Sequence, residues 1–177
     1  MYSSEINKCS TVDGPGVRVV VFFSGCHANK CKEGHCPGCH NPAAWNFSLG
    51  SEYTNDTEEY ILDALAKPYI TGLSLLGGEP YDSPDPEALL SLVRKMKMRH
   101  PEKDIWIWTG YEFDHIISSP LTKLVDVAVC GRFILDQRDI SSKNIFRGSA
   151  NQRVIDVQAS LNSGKAIGLG GIPNNKV

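Results

Sequence analysis

The chain has 177 residues, 41% of them hydrophobic, with 18 basic and 20 acidic side chains and a formal net charge of -2. That length suffices for one domain with a real core, the charges form no basic block that would mark a nucleic-acid partner, and the apolar runs are too short to cross a membrane. Six cysteines, four of them between positions 26 and 39, argue against a secreted disulfide framework and for metal or redox chemistry in a reducing compartment. The polar start, MYSSEINKCS, has no signal-peptide pattern, and a soluble cytoplasmic protein is expected.

Residues 1–12 are expected to be loosely ordered. Asp13-Gly14-Pro15-Gly16 is a turn, because proline presets one dihedral angle and glycine permits another. Arg18 to Ser24 is rich in β-branched and aromatic residues and fits a central strand. The loop after it, rich in Gly, Pro, Asn and Lys, reads as irregular backbone wrapped around a ligand. Asn55 to Lys67 has apolar residues at helical spacing, with Asn55 or Thr57 as candidate cap and Pro68 as terminator. Ile70 to Leu76 is a strand candidate that ends in Gly77-Gly78-Glu79-Pro80.

Pro86 to Arg99 is a second helix with a stripe of Leu89, Leu92, Val93 and Met96. Asp104 to Thr109 alternates as a strand, Phe113 to Ile117 suggests a short helix, and Val125 to Cys130 is another strand. Ser141 to Asn151 reads as a polar loop, Arg153 to Val157 as a last strand, and the glycine- and asparagine-rich tail from Ser160 as poorly ordered. Alternating strands and helices imply parallel strands with right-handed crossovers. The expected fold is α/β: a single domain over 1–177, an open, partial β/α barrel with five or six mostly parallel strands whose ends converge on one face.

Cys26, Cys31, Cys36 and Cys39 lie where the first central strand runs out, the position at which open α/β sheets hold ligands. Thiolates bind zinc or iron–sulfur clusters, and the cysteines alone leave both open. Gly77-Gly78-Glu79 at the next strand end tips the balance. Glycines let a ligand approach the backbone and a carboxylate can hold an ammonium group, features a structural zinc site does not need.

The order DGPGVR, FFSGC, CPGCHNPAAW, LSLLGGEP, DIWIWTGY, GRF and FRGSANQR, from Asp13 to Val157, resembles the anaerobic ribonucleotide reductase activating proteins, small radical S-adenosylmethionine enzymes. The resemblance implies a radical-SAM fold and a 4Fe–4S cluster held by three cysteines, with one iron open to S-adenosylmethionine. It also implies glycyl-radical formation on the large subunit of an anaerobic ribonucleoside-triphosphate reductase, fed by a one-electron donor such as flavodoxin or ferredoxin.

By position it implies Cys26, Cys36 and Cys39 as metal ligands. Gly38, His40, Gly77, Gly78, Glu79 and Thr109 would bind cofactor, with Glu79 on the ammonium. Arg147, Asn151, Gln152 and Arg153 would touch the cofactor or brace the sheet. The family spacing is Cys-x3-Cys-x2-Cys, whereas here about six extra residues follow Cys26. That leaves Cys31 as its rival, and Cys26 is preferred because the segment before it matches the family. A second departure is Cys130, where relatives tend to carry Asp; a small buried residue is expected there. His27, His35 and His115 are expected to be exposed loop histidines. Another small radical enzyme, such as a deazaguanine synthase, and a non-enzymatic zinc-binding module are the alternatives.

Overall fold

The computed structural model describes residues 1–27, 34–138 and 146–171. Cys31 and part of the 141–151 loop lie outside them. The elements, in chain order, are β1 (Tyr2–Ser10), β2 (Arg18–Phe23), β3 (Ser51–Glu52), α1 (Asn55–Leu65), β4 (Gly72–Gly77), α2 (Pro86–Arg99), β5 (Asp104–Thr109), α3 (Phe113–Ile116), β6 (Val127–Cys130), β7 (Arg153–Asp156), α4 (Val157–Ser163) and β8 (Ile167–Gly168).

The eight strands form one mixed, open sheet in the order β3-β1-β2-β4-β5-β6-β7-β8. Only β2, β4, β5 and β6 run parallel to their neighbours throughout their shared junctions. The junctions β3–β1, β1–β2, β6–β7 and β7–β8 are antiparallel. The expectation of five or six mostly parallel strands is therefore corrected: four antiparallel junctions outnumber three parallel ones among the described residues. The reason is local. The parallel junctions are the ones bridged by helix-bearing crossovers, while β1 and the short outer strands pair antiparallel.

Residues 1–12 are not loose either. Tyr2 to Ser10 pairs along β2, with Ile6 opposite Val21. Part of the tail from Ser160 is also ordered, since α4 is capped by the Asp156 side chain and closes on Gly164 in the left-handed region. The cap of α1 is Thr54, in a reciprocal box with Thr57, rather than Asn55.

Both sheet faces are covered. A row across five strands, Val21, Leu75, Ile107, Ala128 and Ile155, faces the helices and joins Ile61, Leu65, Leu89, Leu92, Val93 and Met96 in the main core. Each such side chain contributes about 1.5–3 kcal/mol on burial. The opposite face carries Trp106, Val127, Val129 and Val154, with Trp108, Phe146 and Leu169 packed against them.

At the base of that second face lies Arg18, fully buried. Its guanidinium donates to Ser74 Oγ at 2.7 Å, to the Leu73 carbonyl at 2.9 Å and to Asp104 Oδ1 at 2.7 Å, and it lies over the Trp106 ring. Burial pulls its pKa below the ordinary value and Asp104 offsets part of that. The same Ser74 hydroxyl donates to the Asp13 carbonyl at 2.6 Å, so the DGPG turn is tied to β4. Arg18→Met removes these donors together. It is expected to cost about 3 kcal/mol, the low end for a broken buried pair because Asp104 keeps contact with water, measured by urea unfolding of the apoprotein.

Candidate functional site

β2 ends at Phe23, and the chain then passes directly over the end of β4. The Gly78 amide donates to the Phe23 carbonyl and the Glu79 amide to the Gly25 carbonyl, each at 2.8 Å. A Cβ on Gly77 would stand 2.0 Å from the Phe23 carbonyl oxygen, and one on Gly78 would stand 2.2 Å from that of Gly25. Both positions therefore require glycine because main chain lies against main chain. The sequence predicts a close approach to a ligand here; in the structure the atoms nearest these glycines are main chain of the cysteine segment itself.

Gly25 has φ of +106° and its amide donates to Ala44. Cys26 N–H then donates to the Trp45 carbonyl at 3.3 Å. Cys36 to Cys39 form a turn in which the Cys39 amide donates to the Cys36 carbonyl at 3.1 Å, with Gly38 at a φ of +71°. Cys26, Cys36 and Cys39 are all half-buried.

These segments wall a cleft of about 670 Å3 at the C-terminal ends of the parallel strands. It brings together Cys26, Cys36, Cys39 and His40 from the loop, Gly77, Gly78 and Glu79 from the end of β4, and Thr109 from the end of β5. The cleft continues along the sheet past Trp108 and Phe146 to Val12 and Asp13. Its size is that of a small-molecule site. Soft sulfur donors beside it fit an iron–sulfur cluster. Cys26, Cys36 and Cys39 all line the cleft; among the described residues no group of three His, Cys, Asp or Glu side chains is arranged to hold a single metal ion.

Other expected residues stand elsewhere. Gly38 packs toward Leu135. Asn151 donates to the Arg132 carbonyl at 2.9 Å and accepts from Ser149 Oγ at 2.7 Å. Arg153 donates to the Ala166 carbonyl. Neither Asn151 nor Arg153 is among the described residues that line the cleft; each holds a neighbouring backbone carbonyl. Gln152 does line it, while its amide joins the 148–149 turn to Gly131. Arg147 reaches the cleft and donates to the Gln152 carbonyl.

His27 and His115 are exposed. His35 is half-buried, stacked on Trp45 with ring centroids 4.0 Å apart, a correction to its reading as an exposed loop residue. Cys130 is buried, as its strand-end position suggested. Burial, followed by the nearby Glu112 and Glu79 carboxylates, pushes its thiol pKa up.

Glu79 is the most constrained acid of the site, 2% exposed. Its Oε2 accepts from the Gly110 amide at 2.8 Å and its Oε1 from the Tyr81 amide at 3.3 Å. It thus clamps the end of β5 to the end of β4. Sequence reasoning missed Asp82, 8% exposed, which accepts from the His27 amide and from Tyr111 Oη, each at 2.7 Å. Its only sequence signal was its place three residues after Glu79.

Comparison with known proteins defines the class first: residues 12–155 match the 4Fe–4S single cluster domain family. Proteins named anaerobic ribonucleoside-triphosphate reductase-activating protein are similar over most of their length. That of Enterobacteria phage T4 is 40% identical over 154 residues, 87% of this chain and 93% of that one. That of Vibrio cholerae is 41% identical over 145 residues, 80% and 88%, and that of Escherichia coli K12 is 37% identical over 147 residues, 81% and 90%. The chain belongs to the anaerobic ribonucleoside-triphosphate reductase-activating protein family. No solved structure matches it.

Two outcomes follow from the geometry. Glu79→Gln turns one accepting oxygen into a donor that faces a backbone N–H, and is expected to cost about 1–3 kcal/mol in apoprotein unfolding. Brief alkylation of the native apoprotein, read by peptide mass spectrometry, is expected to label exposed Cys9 and to leave buried Cys130 unmodified until the chain unfolds.

Proposed function

We propose that this chain is the activase of an anaerobic ribonucleoside-triphosphate reductase. When bound, a reduced 4Fe–4S cluster supplies one electron that cleaves S-adenosylmethionine to methionine and a 5'-deoxyadenosyl radical, which takes a hydrogen atom from a glycine of the reductase large subunit. The observation that carries the reading is the convergence of Cys26, Cys36, Cys39 and Glu79 on one cleft in a chain of this family. A one-electron donor such as flavodoxin or ferredoxin completes the system, and the cytoplasm is the compartment that suits it.

Each residue has a stated task in this reading. Cys26, Cys36 and Cys39 hold the cluster through their thiolates, with Cys31 as the rival to Cys26. Glu79 receives the ammonium group of S-adenosylmethionine. A carboxylate offers about four acceptor sites on its two oxygens, and a cationic donor suits it. His40, Thr109, Gly77 and Gly78 shape the wall beside it. The cleft's extension past Trp108 and Phe146 toward Val12 gives room for a polypeptide loop carrying the target glycine. The run of parallel strands β2, β4, β5 and β6 with their C-terminal ends at the cleft supports reading the sheet as a radical-SAM partial barrel in one domain. A deazaguanine-synthase-like enzyme and a zinc module are less well supported, since the relatives are reductase-activating proteins and the family is a 4Fe–4S one.

Anaerobic reconstitution followed by electron paramagnetic resonance tests this. The reduced protein is expected to give a 4Fe–4S signal that changes shape with S-adenosylmethionine. Cys26→Ala, Cys36→Ala and Cys39→Ala are expected to lose the cluster and Cys31→Ala to keep it. Stoichiometric zinc with no cluster would overturn the activase reading; loss of the cluster in Cys31→Ala alone would move the first ligand.

A further inference from the structure

About six residues more than the family's spacing separate Cys26 from Cys36. Before Cys26 the Gly25 carbonyl accepts from the Glu79 amide; at Cys26 and just after it, three further bonds among the described residues hold the main chain. The Cys26 amide donates to the Trp45 carbonyl at 3.3 Å. Its carbonyl accepts from His35 Nε2 at 2.9 Å, and the His35 ring is stacked on Trp45 at an interplanar angle of 13°. The next amide, that of His27, donates to Asp82 Oδ2 at 2.7 Å.

Two of these anchors come from the loop itself. Asp82 does not: it sits in the short turn Pro80–Asp82 that follows the GGE segment, and its Oδ1 accepts from Tyr111 Oη, beyond the end of β5. Asp82 therefore links the cysteine loop to the ends of β4 and β5. Its side chain is 4% exposed, and a buried carboxylate persists only where such donors satisfy it.

We infer that Asp82, oriented by Tyr111, is a positioning residue for Cys26, holding the peptide after it so that Cys26 rather than Cys31 meets Cys36 and Cys39 at the cluster. The inference rests on the reading of this cleft as a cluster site. Positioning through hydrogen bonds needs acceptor geometry, not charge. Asparagine meets that need, because its carbonyl can accept from His27 N–H while its amide donates to the Tyr111 hydroxyl. Alanine does not.

The test is made on apoprotein and on reconstituted protein. In the apoprotein, Asp82→Ala is expected to accelerate amide exchange in 24–27 and to change the alkylation rate of Cys26, leaving those of Cys36 and Cys39 as in wild type. After reconstitution it is expected to lose iron to a chelator about 10-fold faster, the usual scale for outer-shell partners of a metal site. Asp82→Asn is expected to restore both readouts to within about twofold. Tyr111→Phe, which keeps the carboxylate and removes one donor to it, is expected to move them in the same direction by a smaller step, and serves if the alanine variant does not fold.

Cys26 reactivity unchanged in Asp82→Ala, or all three cysteines shifted alike with a fall in Tm, would overturn the inference. Failure of Asp82→Asn to restore them would also overturn it. A wild-type protein that binds no cluster would sink the underlying reading instead, and the apoprotein measurements tell the two apart.

Discussion

Between the end of β4 and the start of the cysteine loop there is room for main chain and nothing else. Two amide–carbonyl bonds, Gly78 to Phe23 and Glu79 to Gly25, close that gap, and a methyl group on either glycine would stand within about 2 Å of a carbonyl oxygen. Everything in the cleft takes its position from this crossing. It sets where Gly25 turns, and so where Cys26 begins. It also brings Glu79 under the end of β5, where the buried carboxylate takes the Gly110 amide. Glycine in GGE is usually discussed as room for a ligand; here the first occupant of that room is the protein's own backbone.

The centre of the fold was legible from pattern. α2 spans Pro86–Arg99 and β5 spans Asp104–Thr109, the bounds that apolar spacing, an N-terminal proline and strict alternation predict. What pattern does not carry is pairing made by backbone alone. Tyr2 to Ser10 has no apolar run, and its order comes from hydrogen bonds to β2. The outer strands β3 and β8 are two residues each, too short for any period. Those antiparallel additions are what turned an expected mostly parallel sheet into a mixed one. In the same way, α4 had its cap, Asp156, and its stop, Gly164, in plain view, masked by the glycine content of the tail beyond it.

The site was legible where chemistry is written in residue type and obscure where it is written in distance. Cysteine, histidine and the GGE segment could be picked out one by one. That Asn151 binds the Arg132 carbonyl rather than facing the cleft, and that Asp82 reaches back across 55 positions to the His27 amide, depends on how the ends of three strands stack. An aspartate near a proline in a turn resembles many others. The donors it accepts from, the His27 amide and Tyr111 Oη, distinguish it.

The aromatic residues of this chain are unevenly distributed, and that has an optical consequence. Of three tryptophans, Trp45 is stacked on His35 at the cysteine loop and Trp108 lines the cleft. Trp106 lies 5.7 Å from Trp108, centroid to centroid. No indole sits among the helices. Emission excited where tryptophan absorbs and tyrosine does not is therefore a gauge of the cleft and its floor: that light carries news of the cysteine loop, while the helical layer, which holds most of the core and carries no indole, stays dark.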